Sequence, residues 1–393
     1  MVDKPWVTII GLGEDGLAGL QGASRDALAQ AEIVFGGGRH LELVGAGLRG
    51  RAWPVPFDVA QVLAFRGRAV VVLASGDPFW FGAGGSLMPH LAPGEWVAHP
   101  APSTFSRAAS VLGWRLENTA CHGLHAAPFA RIRPDLQGGA RLICLMRDGA
   151  AVQDLAAWLC GMGFGGSTLH VLERLGGERQ RIRNTTAQDY DLADVSAPVA
   201  VAIQAVGTGL SRGFGLADDL FAHDGQITKR GVRAMTLTAL APRPGELLWD
   251  IGAGSGSVSV EWCLAGAQAV AFEMNAARVA NIRANALTFG VDHRLAVVEG
   301  AAPAALADHP APDAVFIGGG GDAALYAALL PRLRAGTRLV ANAVTLETEA
   351  LLTDLSATHG GSLTKIDIAT ATPLGRMRGW TAARPVVQWS VVL

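Results

Sequence analysis

The sequence predicts a two-domain α/β protein with a strand–glycine-loop–helix turn in each half. Three observations carry that prediction. A chain of 393 residues, 50% of it hydrophobic, exceeds what one ordinary core organises. Short apolar runs of strand length alternate with helical segments, the pattern of layered α/β folds. The 50 glycines are nearly twice the usual share and gather at the ends of those runs, as tight strand-to-helix turns require.

Strands are expected at Val7–Ile10, Ile33–Phe35, Ala69–Ala74, Trp96–His99, Leu142–Leu145, Thr168–Leu172 and Val199–Ile203, each a short apolar run bounded by turn residues. Helices are expected between several of them, among them Ser106–Leu112 and Val152–Cys160. Residues 206–225 carry Gly207, Gly209, Gly213 and Gly215 with no sustained apolar period, which predicts a linker between domains at 1–205 and 226–393. The second half restarts with Thr228 as a helix cap, Val232, Met235, Ala239 and Leu240 on one face, and Pro242 and Pro244 as the stop. Strands follow at Leu247–Ile251, Ala269–Phe272, Ala314–Ile317 and Leu339–Ala341. Asn275 caps a helix with Val279, Ile282, Ala286 and Phe289 inward, and Gly290 ends it. The runs Leu363–Ala369 and Val386–Leu393 suit an antiparallel pair closing the sheet.

Charge is balanced. A formal net charge of −2 creates no field for nucleic acid or for an anionic membrane, so neither is an expected partner. Cys121, Cys144, Cys160 and Cys263 are scattered without a C-x-x-C pair, so no metal site is expected and reduced thiols are. No charged leader precedes an apolar segment, and no apolar run approaches the roughly 20 residues of a membrane span. Together these predict a cytoplasmic protein.

The densest chemical signal is Leu247-Leu248-Trp249-Asp250-Ile251-Gly252-Ala253-Gly254-Ser255-Gly256. An apolar run ends in an acid, and glycines at alternate positions bring bare backbone to the carboxyl end of a strand, where open α/β sheets bind nucleotides. Ser257 stands where the third glycine of a dinucleotide fingerprint would fall, which weakens a nicotinamide-dehydrogenase reading. The stretch resembles the first motif of Rossmann-like (class I) S-adenosylmethionine methyltransferases. On that resemblance Gly252, Gly254 and Gly256 admit the amino-acid part of the methyl donor, and Asp250 reaches its ammonium group. Glu273, closing the next strand, accepts the ribose hydroxyls. Gly300 and Ala301 flank the adenine, and Gly318-Gly319-Gly320-Gly321 opens toward the methyl acceptor.

Asp224-Gly225-Gln226-Ile227-Thr228-Lys229, followed by the glycine loop and Glu261, is similar to the corrin-pathway decarboxylating methyltransferase family over about residues 222–393. That family methylates carbon 15 of a precorrin and removes carbon dioxide from an acetate side chain. The resemblance adds Thr228 to the donor contacts. Ala301 departs from it, since many relatives carry an Asp there.

The first half opens with Gly11-Leu12-Gly13-Glu14-Asp15-Gly16, formally a dinucleotide motif, but the second strand ends in Gly36-Gly37-Gly38 with no carboxylate for a ribose. Ser75-Gly76-Asp77-Pro78 and Pro100-Ala101-Pro102-Ser103-Thr104 resemble two loops of the tetrapyrrole methylase family (class III), over roughly residues 5–205. Glu14, Ala101 and Thr104 depart from its usual residues. Cys121-His122-Gly123 is similar to a motif of the branch that acts at carbon 5. The resemblance implies a two-lobed domain holding the donor near Gly11, Gly13, Ser75, Gly76, Asp77, Ser103 and Thr104. S-adenosylmethionine is thus expected at two sites, one per domain.

A tetrapyrrole substrate presents several carboxylates, for which arginine and lysine are the natural partners. Lys229 and Arg233, with Arg376 and Arg378 in the glycine-containing loop before the last strand, are the candidates; Glu261 and Asn342 are further pocket residues, and His122 or His125 suits acid–base work. One chain carrying both methylations and the decarboxylation of a precorrin is the expected function, with a two-domain methyltransferase of another tetrapyrrole as the alternative and a nicotinamide-dependent reductase behind it. A homo-oligomer is expected by analogy with both families.

Overall fold

The structure is a computed structural model describing residues 5–318 and 321–393. The chain divides into two units, Met1–Phe129 with Asp135–Gly209, and Ala130–Pro134 with Leu210–Leu393.

In the first unit, β1 (Val7–Leu12), β2 (Ile33–Gly36), β3 (Gly50–Ala52), β4 (Val70–Ser75) and β5 (Trp96–His99) form a parallel sheet in the order β3-β2-β4-β1-β5. Both faces are covered, so the strands need no polar alternation. Ile10, Leu12, Val71 and Leu73 join one core, whereas Val7, Ile9, Val70 and Val72 join another. The helices between them, α1 (Gly22–Gln30), α2 (Gly38–Leu43), α3 (Ala60–Leu63) and α4 (Ala83–Leu87), are short. Then α5 (Thr104–Leu112) leads to a second sheet. It begins two residues earlier than its apolar face suggests, because Ser103 Oγ caps it by accepting the Ser106 amide at 3.0 Å. The second sheet holds β6 (Thr119–Gly123), β7 (Arg141–Leu145), β8 (Thr168–Glu173), β9 (Arg181–Thr186) and β10 (Val199–Gln204), in the order β6-β7-β10-β8-β9 and antiparallel apart from β6–β7. Helix α6 (Gly149–Gly161) packs beside it, with Asp148 accepting the Ala151 amide at 2.8 Å as its cap.

The second unit starts with α7 (Arg230–Leu240) and β11 (Leu247–Ile251), then α8 (Ser257–Leu264), β12 (Gln268–Glu273), α9 (Ala276–Thr288), β13 (Leu295–Glu299), β14 (Ala314–Ile317), α10 (Ala323–Leu329), β15 (Arg338–Ala343) and α11 (Leu346–His359). The strands β16 (Ser362–Ile366), β17 (Ala369–Leu374), β18 (Met377–Ala382) and β19 (Val386–Val392) complete it. Seven strands lie in the order β13-β12-β11-β14-β15-β19-β16. The first five are parallel, and β19 runs antiparallel between β15 and β16, the closing pair read in the late apolar runs. Strand order reverses at β11, so the carboxyl ends of β11 and its neighbours form the crevice where such sheets take ligands.

Two expectations are corrected. Thr228 does not cap α7: the cap position is Lys229 with no side-chain bond, and the carbonyl of Thr228 instead accepts Arg233 Nη1 at 2.5 Å. The segment holding Arg376 and Arg378 is not a loop but the turn and second strand of the β17–β18 hairpin, where both residues are exposed. Asn275 does cap α9, accepting the amides of Ala277 and Arg278 at 3.0 and 3.3 Å.

Within 206–225, residues from Leu210 onward belong to the second unit. Their anchor is Arg233, fully buried on α7. Its Nε donates to Glu261 Oε1 at 2.6 Å, its Nη1 to Asp218 Oδ1 at 2.9 Å and its Nη2 to the Leu216 carbonyl. Glu261 also accepts the amides of Gly215 and Leu216, at 2.6 and 3.0 Å. Removing one partner of such a cluster strands the other charges away from water. Arg233→Ala is therefore expected to cost about 3–5 kcal/mol in the unfolding transition of the second unit, followed by urea denaturation; a loss under about 1 kcal/mol, the scale of an exposed pair, would contradict it.

Candidate functional site

In the first unit the three motif loops converge at the carboxyl edge of the parallel sheet. The Gly76 amide donates to the Leu12 carbonyl at 2.9 Å, and the Ala101 amide donates to the Gly76 carbonyl at 3.2 Å. A Cβ on Gly11 would overlap that same carbonyl, and one on Gly76, at φ +58°, would stand 2.7 Å from Ser103 Cα. Glycine is needed here so that backbone can close on backbone.

The convergence leaves a cleft of about 650 Å³ lined by Gly13, Ser75, Gly76, Ser103 and Thr104 from the first sheet's loops and by Leu145, Leu172 and Ala200 from the second sheet. Asp77 turns its own loop, its Oδ1 accepting the Phe79 amide at 2.8 Å. His125 lines the cleft; His122, on β6, has its Nε2 3.2 Å from Asp135 Oδ2.

Sequence reading missed the polar wall of this cleft. Arg39 and His40 open α2 just after Gly36-Gly37-Gly38, and Arg39 pairs with Glu14. Arg39 Nη2 donates to His40 Nε2 at 2.9 Å, and Ser75 Oγ lies 2.9 Å from the same nitrogen. Burial, then the adjacent Arg39 charge, push His40 down to about 4, so its ring is neutral near pH 7. Arg107, also on the wall, holds Asp15 at 2.8 Å. The available signal was the Arg39-His40 pair directly following the glycine run that ends the second strand.

In the second unit the alternate glycines leave β11 and meet the end of β12. The amides of Gly252 and Ala253 donate to the Phe272 carbonyl at 3.0 and 3.1 Å. Glu273, 4% exposed, accepts the Gly254 amide on Oε2 and the Asn275 amide on Oε1, both at 2.9 Å. The Gly300 amide reaches the Glu273 carbonyl at 3.0 Å, which places Gly300 and the adjoining Ala301 beside it. Gly254, at φ +58°, faces the Gln226 carbonyl, to which an added Cβ would come within 3.2 Å. Gly256 makes room for Ile282, whose Cγ2 would lie 2.7 Å from a Cβ there. Gly318 donates to the Ile251 carbonyl at 3.1 Å; Gly319 and Gly320 lie outside the described residues.

Asp250 is fully buried. Its Oδ2 accepts the Ser259 hydroxyl at 2.6 Å, while its Oδ1 has no partner, nor does the buried Ser255 Oγ. Desolvation raises its pKa to about 6, against the hydrogen bonds from Ser259, and the Glu273 charge adds to the rise.

The remaining candidates separate by contact. Glu261 and Arg233 spend their polar atoms on each other and on nearby backbone, as described above, so Arg233 is an internal anchor and not a cation facing a ligand. Lys229 is 62% exposed, 4.0 Å from Asp218 Oδ2. Asn342, near the end of β15, donates to Thr236 Oγ1 at 3.0 Å and accepts from Gln388 at 2.9 Å. Among the described residues no cluster of three His, Cys, Asp or Glu could hold a metal ion, and no helix is long and apolar enough to cross a membrane.

Two α/β units of methyltransferase type, each with a glycine loop at a strand's carboxyl end, define the class. A model described as tetrapyrrole (corrin/porphyrin) methylases matches residues 7–191, and one described as a precorrin methyltransferase domain matches residues 219–393. A precorrin-6Y C(5,15)-methyltransferase (decarboxylating) from Sinorhizobium sp is 50% identical over 98% of this chain and 96% of its own. One of the same name from Mycobacterium tuberculosis is 38% identical over 98% of this chain and 99% of its own. The crystal structure of the C-terminal domain of precorrin-6Y C5,15-methyltransferase from Rhodobacter capsulatus is 62% identical, covering 47% of this chain and 100% of that one, with a TM-score of 0.46. The chain belongs to the decarboxylating precorrin-6Y C(5,15)-methyltransferase family. S-adenosylmethionine is the methyl donor of that family.

Asp250 yields a pH test. Between the ordinary value of 3.8 and about 6 the folded chain holds a proton that the unfolded chain has released. Stability from this group is therefore full below that window and lost as pH rises through it, by about 3 kcal/mol in total. Asp250→Asn removes this slope. Its stability relative to the unsubstituted chain is expected to improve by most of that amount between pH 4 and 7.5 in urea titrations of the second unit; parallel curves would contradict it.

Proposed function

We propose that each unit is a separate methyltransferase site working on the same tetrapyrrole: 1–205 methylates carbon 5, 226–393 methylates carbon 15 and releases carbon dioxide, and 206–225 joins them. The overall conversion takes precorrin-6Y, a reduced precorrin-6, to precorrin-8x in aerobic cobalamin biosynthesis. The observation that carries the two-site reading is the pair of unlike loop clusters, Gly11–Gly76–Ser103 and Gly254–Glu273–Gly300, each at the carboxyl ends of parallel strands.

The residues of the second unit fit the donor. Asp250 Oδ1 is a buried acceptor lacking a donor, which an ammonium group supplies, and Ser255 Oγ lacks a partner in the same loop. Each Glu273 oxygen accepts one amide and keeps a lone pair for a ribose hydroxyl. The first unit offers the cleft wall of Gly13, Ser75, Gly76, Ser103 and Thr104, with the Asp77 turn shaping it.

S-adenosylmethionine supplies an activated methyl group when bound. The chain's contribution is to align the acceptor carbon with it. For decarboxylation the conjugated macrocycle accepts the electron pair freed as the acetate's carbon–carbon bond breaks and carbon dioxide leaves, and a proton from water then completes the methyl group that remains. The protein must keep that acetate ionised and its breaking bond perpendicular to the ring. A tight arginine clamp on it would stabilise the ground state. We assign the outer carboxylates to exposed cations instead, Lys229 in the second unit with Arg376 and Arg378 on its hairpin. Asn342, steadied by Thr236 and Gln388, shapes the acceptor side, and His122, steadied by Asp135, supports the carbon-5 site.

The four free cysteines support a reducing, cytoplasmic setting. A homo-oligomer is supported by Leu374, Met377 and Trp380 of the hairpin, which are 69–79% exposed.

Gly254→Val places a branched side chain at positive φ against the Gln226 carbonyl. It is expected to abolish carbon-15 methylation and carbon dioxide release while carbon-5 methylation continues. Calorimetric binding of S-adenosylmethionine should fall from two equivalents to one. One equivalent on the unsubstituted chain, or normal carbon dioxide release from the variant, would overturn the two-site reading.

A further inference from the structure

Phe81, in the loop after β4, has φ +57°, a left-handed conformation that is a genuine outlier for a bulky aromatic. The loop imposes it. The Gly84 amide donates to the Pro78 carbonyl at 3.0 Å, and a Cβ on Gly82 would stand 2.5 Å from that oxygen, so the chain folds back tightly around Pro78. Strain of this kind costs on the order of 1–3 kcal/mol and clusters where ligands are held.

Here it turns aromatic surface outward. Phe81 is 53% exposed and Trp80 39% exposed, both on the cleft wall. Trp80 rests on the buried Phe105 with ring centroids 4.6 Å apart, and Phe81 lies 6.0 Å from the same ring. From the second sheet, Gly123 completes the seat: a Cβ there would come within 3.0 Å of Phe81 Cδ1 and 3.2 Å of His125 Cε1. Any larger residue at that position would press on the ring. Around this apolar wall the cleft is polar, with Arg39 and Arg107. An aromatic wall beside cations matches a flat conjugated body edged with carboxylates.

We propose that Phe81, backed by Trp80 and Phe105 and seated by Gly123, is the surface against which the tetrapyrrole's conjugated face lies in the first unit. It thereby determines which bridging carbon meets the methyl donor. The inference rests on the reading that this unit methylates carbon 5.

The test uses the full-length chain. Phe81→Leu is expected to raise the KM for the tetrapyrrole in carbon-5 methylation about tenfold, with S-adenosylmethionine affinity, carbon-15 methylation and carbon dioxide release unchanged. Phe81→Tyr, which keeps the ring, restores the KM. Gly123→Ala, which shifts the ring by a few tenths of an ångström, raises the same KM less. Phe81→Gly relieves the backbone strain, so a thermal transition at or above the unsubstituted one together with a raised KM separates lost contact from lost folding. A Phe81→Leu KM within twofold of normal overturns the proposal. So does an equal loss of donor affinity, which would assign the ring to the donor pocket. An unsubstituted chain that methylates carbon 15 but never carbon 5 overturns the reading of the first unit, and the Phe81 role with it.

Discussion

Both candidate sites depend on one constraint: bare backbone must reach bare backbone where a parallel strand ends. In the first unit the Gly76 carbonyl occupies the space a Gly11 side chain would need, and Ser103 occupies the space a Gly76 side chain would need. In the second, the Gly254 amide reaches across to the Glu273 carboxylate. The loops are cushioned by missing side chains, and that brings strand-end groups to one place. The polar residues exploit this arrangement without creating it.

The two buried acids of the second site differ because their surroundings differ. Glu273 divides its oxygens between two backbone amides. Asp250 receives one hydroxyl and leaves one oxygen bare, and desolvation dominates. An acid in that state is poorly satisfied alone and well satisfied by a bound cationic group. The imbalance is local, at the first turn after β11, where the backbone amides point away toward Phe272. A site that is incomplete without its ligand binds it without displacing an internal partner.

Much of this was legible in the residues. The parallel strands were recoverable because runs such as Val70–Leu73 are apolar on both faces, a pattern that burial under two helix layers demands. Asn275 announced its helix by side-chain chemistry. What escaped was structure without strong periodicity. β9, with the sequence Arg181-Ile182-Arg183-Asn184-Thr185-Thr186, is an exposed edge strand and offers no apolar alternation. The β17–β18 hairpin likewise exposes most of its residues. Thr228 looked like a cap because its residue type suits one, yet its carbonyl serves Arg233. Arg233 looked like a partner for substrate carboxylates because arginine is usually exposed. Only tertiary placement reveals that Glu261 and Asp218 await it inside.

Arginine is therefore used in two ways, and burial decides between them. Arg233 is wholly enclosed, its donors matched by two carboxylates and two carbonyls; it has nothing left for a substrate and its role is to hold the entry segment. Arg39 stands at the opposite limit, a third exposed, with one carboxylate partner and a neutral histidine. It lines the cleft, and its planar fork carries more N–H groups than these partners take. A guanidinium keeps its charge under partial burial, so such a group can take a second carboxylate without first losing a proton. A lysine in the same place would lose its charge more readily on burial. The sequence carries arginine at nearly every cationic position, with lysine only at Lys4, Lys229 and Lys365. Burial thus separates an arginine that anchors the fold from one whose charge still faces a cleft.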